Sequence, residues 1–333
     1  MIAGLVFGKF LPLHNGHLAL IDFASKRCDI LYIILCYTNS ESIPGKTREQ
    51  WIKHETAVYT HAHLISFMYD EKVLPNTSVP SRTASLIWAD AFKSIVPDVS
   101  RVFTSEPYGA FVAEYMNVEH VVFDEARQSV PVSASQIRAN PFQYWDYIAS
   151  SARSYFVKKV ALVGSESTGK STLTKALANF FQTSYVPEMA RGIIEKTEDC
   201  TYHHLFEIAE LHASEIIKSV EHANKLLFVD TELLITRSYS SYLFNIPLIV
   251  DHWIEEVNRF DLYLFLEPDC PYVQDGTRLS ATERIKLGVH HKRVFKESNI
   301  DLNFINGSWQ QRWEMAITLI TDTFFKEKAA TNR

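Results

Sequence analysis

Two short stretches gather groups that hold anions. The first is GKFLPLHNGH at 8–17, in which an apolar run ends at Gly8 and a turn carries His14, Gly16 and His17. Histidines three residues apart at the mouth of a helix converge on one space, where the helix N-terminus already favours negative charge. Imidazole N–H groups there donate to phosphate oxygens, Lys9 adds a cation, and Gly16 lets the main chain approach a ligand closely. The same spacing also suits a metal, but no cysteine or acid cluster adjoins it. The second stretch is GSESTGKS at 164–171, which fills every fixed position of G-x-x-x-x-G-K-[ST] between an apolar strand pattern and a helix pattern. In such a loop the backbone N–H groups of Gly164, Ser165, Glu166, Ser167, Thr168 and Gly169 turn inward around phosphates. Lys170 reaches the β- and γ-phosphates, Ser171 takes a Mg²⁺ position, and Thr172 follows in the helix.

Other residues extend the second constellation. Asp230 ends the run LLFVD, where a P-loop protein places a carboxylate on Mg²⁺; an ordinary strand-end acid is the alternative. Glu188 and Arg191 form E-x-x-R after SYVPE. Glu188 is the candidate general base, with Asp230 its rival, and Arg191 faces the acceptor. QDGTRLSATER at 274–284 reads either as a lid that brings Arg278 and Arg284 over the transferring phosphate or as a solvated loop.

Positioning these groups takes two sheets. The chain has 333 residues, more than one core usually supports. In its first half, apolar runs at 2–8, 29–37, 63–69, 101–105 and 119–124 alternate with helical patterns near 17–26, 46–60 and 82–95, and 140–148 reads as a closing helix. In the second half, 160–164, 226–230 and 262–267 read as buried strands, 184–188 and 302–306 as weaker ones, and 170–181, 203–224 and 308–326 as helices. Strands alternating with helices predict an α/β chain with parallel sheets in two domains, 1–152 and 153–333.

Composition narrows the class. Hydrophobic residues make up 47% and charged residues 22%, and the formal charge is -6. Nucleic acid is therefore not the expected main partner. The four cysteines form no C-x-x-C pair, which predicts free thiols in a reducing, cytoplasmic setting. Neither a signal peptide nor an apolar run long enough for membrane insertion is visible. Oligomeric state is left open, a homo-oligomer included.

The first stretch resembles the G-x-F-x-P-x-H-x-G-H signature of the nucleotidylyltransferase superfamily, in which Gly8, Phe10, His14, Gly16 and His17 fill fixed places. VSASQIR at 132–138 resembles that superfamily's second motif, I-S-x-[ST]-x-I-R, with Val132 in place of Ile and Ser133, Ser135, Ile137 and Arg138 as expected. Class I aminoacyl-tRNA synthetases share a similar first motif but carry a K-M-S-K-S loop instead of the second. The resemblance implies a Rossmann-like domain that transfers AMP directly from ATP to an acceptor phosphate. His14 and His17 would stabilise charge around the transferred group, and Ser133 and Arg138 would hold the β- and γ-phosphates.

A nucleotidylyltransferase domain followed by a P-loop kinase domain is similar to the NadR-type bifunctional enzymes of NAD synthesis. FTSEPYGAF (103–111), FVDTE (228–232) and PYVQDGTR (271–278) are similar as well. That likeness implies a kinase that makes nicotinamide mononucleotide from nicotinamide riboside and Mg-ATP, and an adenylyltransferase that joins the product to AMP, giving NAD. The same motifs also fit a fusion with another small-molecule acceptor, or a nucleotide sensor. Some relatives begin with a DNA-binding domain; with a strand from residue 2, direct DNA binding is not expected. A cationic nicotinamide ring favours an aromatic face. Trp88 is the candidate, with a core role as the alternative. Arg48 is placed either near the nucleotide or in solvent, and Trp145, Trp253, Trp309 and Trp313 are read as packing residues.

Overall fold

The computed structural model describes residues 1–76, 81–194, 199–272 and 280–326. The chain divides into two compact units, Met1–Tyr155 and Phe156–Arg333. Each is built on a five-stranded, wholly parallel sheet.

In the first unit the order along the chain is β1 (Ala3–Gly8), α1 (Asn15–Ser25), β2 (Ile30–Tyr37), α2 (Gly45–Thr56), β3 (Ala62–Met68), α3 (Arg82–Ile95), β4 (Arg101–Thr104), α4 (Tyr108–Met116), β5 (Glu119–Val122), α5 (Ala134–Ala139) and α6 (Ser150–Arg153). The strands lie in the order β3-β2-β1-β4-β5. β2 is ILYIILCY, a nearly unbroken apolar run, because helices cover both faces of a parallel sheet. Leu5, Ile34, Phe92, Val102 and Val112 pack into one core between the sheet and the α3–α4 pair. Strand order reverses at β1, and ligands of such sheets settle beyond the carboxyl ends of the strands there. Gly8 is the last residue of β1, so the 8–17 turn leaves the sheet at that point.

The expected closing helix over 140–148 does not form; the segment is a turn with one 3₁₀ stretch at Trp145–Tyr147. Asn140 ends α5, and its side chain accepts from Gln143 N at 3.1 Å. Ile148 then pairs with His14 in an antiparallel bridge, and Ala149 N donates to Leu13 O at 3.3 Å. These main-chain bonds need extended backbone, so the 8–17 turn wins over local helix preference.

The second unit runs β6 (Lys158–Val163), α7 (Lys170–Phe180), β7 (Tyr185–Val186), α8 (Tyr202–Glu221), β8 (Leu226–Asp230), α9 (Leu233–Phe244), α10 (His252–Val257), β9 (Leu262–Leu266), α11 (Ala281–Glu297), β10 (Asn303–Ile305) and α12 (Trp309–Phe324). Its order is β10-β9-β6-β8-β7. β8 and β9 are fully buried, and β6 lies between them. The helices α9, α10 and α11 fall where the sequence patterns name none. Glu232 caps α9, accepting from Leu234 N at 2.9 Å and Ile235 N at 3.1 Å. Ser280 caps α11 through Glu283 N at 3.2 Å. Among the described residues no helix is long and apolar enough to cross a membrane.

Candidate active sites

In the first unit His14 is the N-cap of α1, and its Nδ1 accepts from Gly16 N at 3.1 Å. That bond places the ring proton on Nε2 and leaves it as a donor. His17, one turn on, stacks on His14 with centroids 3.8 Å apart. Phe10, at φ 46°, sets its ring edge-on against His17 at 5.0 Å. Burial, helped by the Arg127 charge, holds His14 down at about 4. Burial, then His14 and Arg127, hold His17 well below the ordinary histidine value. Both rings are thus neutral near pH 7 and offer N–H groups rather than charge. A Cβ at Gly16 would sit 2.9 Å from His14 Cε1, so its absence keeps the ring in place.

Arg138 comes back to the turn from α5. It bonds Leu11 O and, at 3.2 Å, Ser135 Oγ. Ser133 caps α5, with its Oγ accepting from Gln136 N at 3.3 Å, so its hydroxyl is already engaged. Lys9 pairs with Glu41 at 2.9 Å. Arg48 is neither solvated nor open to a ligand: it is fully buried, donates to Lys9 O at 2.6 Å and pairs with Glu41 at 2.5 Å. The carboxylate of Glu41, brought in from the loop after β2, is what pulls Arg48 inward.

Beside this turn lies a cavity of about 210 Å³, lined by Gly8, Lys9, Tyr69, Trp88 and Tyr108 among others. Trp88 packs edge-on to Tyr69 at 4.9 Å and donates from Nε1 to Pro75 O at 3.1 Å. It is both a packing residue and a cavity wall. His14 and His17 are not among the lining residues, so the imidazole turn and the aromatic cavity are adjacent compartments that meet at Gly8 and Lys9. Glu41, Tyr69 and Arg127 escape the sequence reading. Arg127 stands inside FDEARQS, whereas nothing in the spacing of Glu41 or Tyr69 marks them.

In the second unit the loop after β6 turns as expected. Gly164 has φ 139°, and a Cβ on it would meet Leu266 O at 2.6 Å. Ser165 and Thr168 are buried, and Thr168 Oγ1 donates to Ser165 O at 2.9 Å. Ser167 has φ 57°, and Gly169 is the N-cap of α7. Lys170 Nζ donates to Gly164 O and Ser165 O, each at 3.0 Å.

The loop is tied down by two arginines. Arg284 is buried at the start of α11 and donates to Ser167 O at 3.4 Å, so it does not stand in a solvated loop. Arg278 lies outside the described residues. Arg312 of α12, also buried, donates to Thr168 O at 2.8 Å, Glu267 O at 2.9 Å and Gly307 O at 2.9 Å, and pairs with Asp269. In sequence it looks like any helical surface arginine, and only the fold shows that it joins the loop to the end of β9.

Two cavities open from the loop. One, of about 370 Å³, is lined by Glu166, Lys170, Glu188, Arg191, His212, Asp230 and Tyr239 among others. The other, of about 850 Å³, is lined by residues 167–172 and by Asp269, Gly307, Ser308, Trp309 and Arg312. Trp309 is 45% exposed, with its ring beside Gly169, and Trp253 is 38% exposed; neither is the packing residue expected. Asp230 is buried at the end of β8, and burial pushes its carboxyl up, with Glu188 adding to this while Lys170 and the Ser171 hydrogen bond oppose it. Burial also pushes Glu188 up, but Lys170, Arg191 and His212 together leave it below the ordinary carboxylate value. Arg191 Nε donates to Glu188 Oε2 at 2.8 Å. A phosphate loop, two carboxylates of opposite tendency and a flanking arginine suit phosphoryl transfer.

The comparisons agree with both halves. A family model described as an AAA domain matches residues 159–312. A solved structure of a NadR protein in complex with NR has a TM-score of 0.78 at 20% identity, covering 97% of this chain and 96% of that one; this likeness is one of fold. The trifunctional NAD biosynthesis/regulator protein NadR of Salmonella typhimurium is 32% identical over 318 residues, 90% of this chain and 77% of the relative. That of Escherichia coli is 32% identical over 329 residues, with the same coverage. Since the similarity runs through both sites and most of each relative, the chain belongs to the NadR family.

Proposed function

We propose that the chain makes NAD in two steps. The second unit phosphorylates the 5′-hydroxyl of nicotinamide riboside from ATP, and the first unit joins the resulting mononucleotide to AMP from a second ATP, releasing pyrophosphate. The observation that carries this reading is the coexistence, in a NadR-family chain, of a stacked imidazole turn at the switch strand of one sheet and a complete phosphate loop on the other. On this reading residues 1–152 are the adenylyltransferase domain and 153–333 the kinase domain.

In the adenylyltransferase, His14 and His17 hold the α-phosphate of the transferred adenylyl group by N–H donation. Arg138, with Ser135 on its Nη2, faces the leaving phosphates, and Lys9 steadies either substrate. Catalysis there is positioning and charge stabilisation without a covalent intermediate. The aromatic walls Tyr69, Trp88 and Tyr108 suit the cationic nicotinamide ring.

In the kinase, the main-chain N–H groups of residues 164–169 cradle the phosphates and Lys170 follows the γ-phosphate. Asp230 Oδ1 is buried without a hydrogen-bond partner beside Ser171, which fits a Mg²⁺ position built from those two side chains. Held there, Mg²⁺ would supply charge neutralisation for the ATP phosphates. Glu188, kept ionised by Lys170 and Arg191 against the effect of burial, takes the proton of the acceptor hydroxyl. Mass spectrometry after mixing the protein with Mg-ATP and nicotinamide riboside tests the reading. Masses of nicotinamide mononucleotide and then NAD are expected; neither product, or turnover of phosphopantetheine or FMN instead, rules it out.

A further inference from the structure

Two cavities open from the phosphate loop, and the proposed chemistry occupies only the smaller, where Glu188 and Asp230 stand. A triphosphate whose γ-phosphate points there carries its ribose and base out on the other side. That side is the 850 Å³ cavity lined by residues 167–172, of a size that holds a whole small ligand. An indole stands in its wall. Trp309 is the first residue of α12, which Ser308 caps by accepting from Gln311 N at 3.4 Å. Arg312, one turn on, ties this helix to Thr168 O at 2.8 Å, so the ring keeps its place beside the loop. A Cβ on Gly169 would lie 3.7 Å from Trp309 Cζ3. Trp313 of the same helix packs edge-on against Phe180 at 5.5 Å. Trp309, by contrast, has no ring against it among the described residues and stands open to solvent. The polar groups around it are engaged. Asp269 pairs with Arg312 and accepts from Gly307 N at 2.6 Å, and Arg312 donates to the carbonyls of Thr168, Glu267 and Gly307.

We propose that Trp309 is the stacking face for the base of the kinase's nucleoside triphosphate, and that this wall takes the base by its face rather than by its edge. The proposal rests on the kinase reading of this unit and adds how the unit holds its phosphoryl donor. An open indole gains contact and apolar burial from a flat aromatic partner. Every base has such a face, so stacking binds without telling one base from another. Reading an edge needs hydrogen-bonding groups that are not already spoken for, and those of Asp269 and Arg312 hold the cavity wall together instead. ATP and GTP are therefore both donors for this site.

The test is steady-state release of nucleoside diphosphate by the full chain with nicotinamide riboside and either ATP or GTP, for the parent, Trp309→Ala and Trp309→Phe. Adenylyl transfer releases no diphosphate, so this readout follows the kinase alone. Trp309→Ala is expected to raise KM for ATP and for GTP alike by about 5- to 100-fold, the effect of removing one stacked ring. KM for the riboside, and NAD formation from nicotinamide mononucleotide, are expected to stay as in the parent. Trp309→Phe, which keeps a face, is expected to lose less. In the parent, kcat/KM for the two donors is expected to agree within about tenfold, whereas sites that read hydrogen bonds discriminate by about 10⁴-fold. An unchanged KM for ATP in the Ala variant, an equal rise in KM for the riboside, equal losses in the two variants, or a wider gap between the donors in the parent overturns the proposal. A parent protein that forms no diphosphate from either donor overturns the kinase reading instead.

Discussion

His14 and His17 stack at 3.8 Å, and both are held neutral by burial, so on the proposed reading they would serve transfer by hydrogen-bond donation rather than by charge. We predict that His17→Ala lowers NAD formation from nicotinamide mononucleotide by about 10²- to 10³-fold, the usual effect of removing one preorganised donor, while ADP formation with nicotinamide riboside is unchanged. Lys170→Ala is expected to do the reverse, which paired assays on the two purified variants check. Arg48 belongs to a different class. It is buried against Glu41 and Lys9 O, so Arg48→Met strands a carboxylate that Lys9 alone must answer. A loss of about 3 kcal/mol in the first unit is expected from urea unfolding, in the range for breaking a buried ion pair. Sequence patterns identify the two histidines and the lysine because their spacing is local. They leave Arg48 undecided because its partner lies on another loop.

At the level of elements, the turn after β1 is held by contacts that no single segment contains. His14 caps α1, Gly16 makes room for its ring, and the 13–14 backbone pairs with Ile148 and Ala149. Gly16→Ala would press a methyl to 2.9 Å from His14 Cε1. The expected outcome is a folded protein whose adenylyl transfer falls at least tenfold, since a catalytic group displaced by about 1 Å loses up to 10²-fold, with kinase turnover as the internal reference. The pairing with Ile148 also explains why the apolar, aromatic-rich run at 140–148 is not a helix: its local preference is overridden by main-chain bonds to a segment more than a hundred residues earlier. The strands, by contrast, follow their apolar runs closely, because burial on both faces leaves little else for such runs to do.

Over the whole molecule, pH separates the two units. His14 (about 4) and His17 are depressed below the unfolded histidine value of 6.5, so the unfolded chain binds more protons as pH falls, and stability is lost between about 6.5 and 4. In the second unit His212 (about 4) and His291 (about 3) act in the same direction. There, however, burial raises Glu232 to about 7 and also raises Asp230; their contribution is full at low pH and lost as pH rises toward 7, which offsets the histidines. Peptide-resolved hydrogen exchange at pH 7.5 and 5 is therefore expected to show protection falling more in β1 and β2 than in β6 and β8; equal loss in both would contradict the assignment. The sequence by itself determined the class of the two sheets and the places where the turns after β1 and β6 leave them. These depend on local periodicity and on glycines at fixed offsets, which short-range sterics enforce. The tertiary structure alone decided that Arg48, Arg284 and Arg312 turn inward, that His212 lines a cavity, and that Trp309 faces outward beside the phosphate loop. In each case the partner comes from a distant part of the chain, so burial and hydrogen-bond satisfaction, which no local pattern records, set the role.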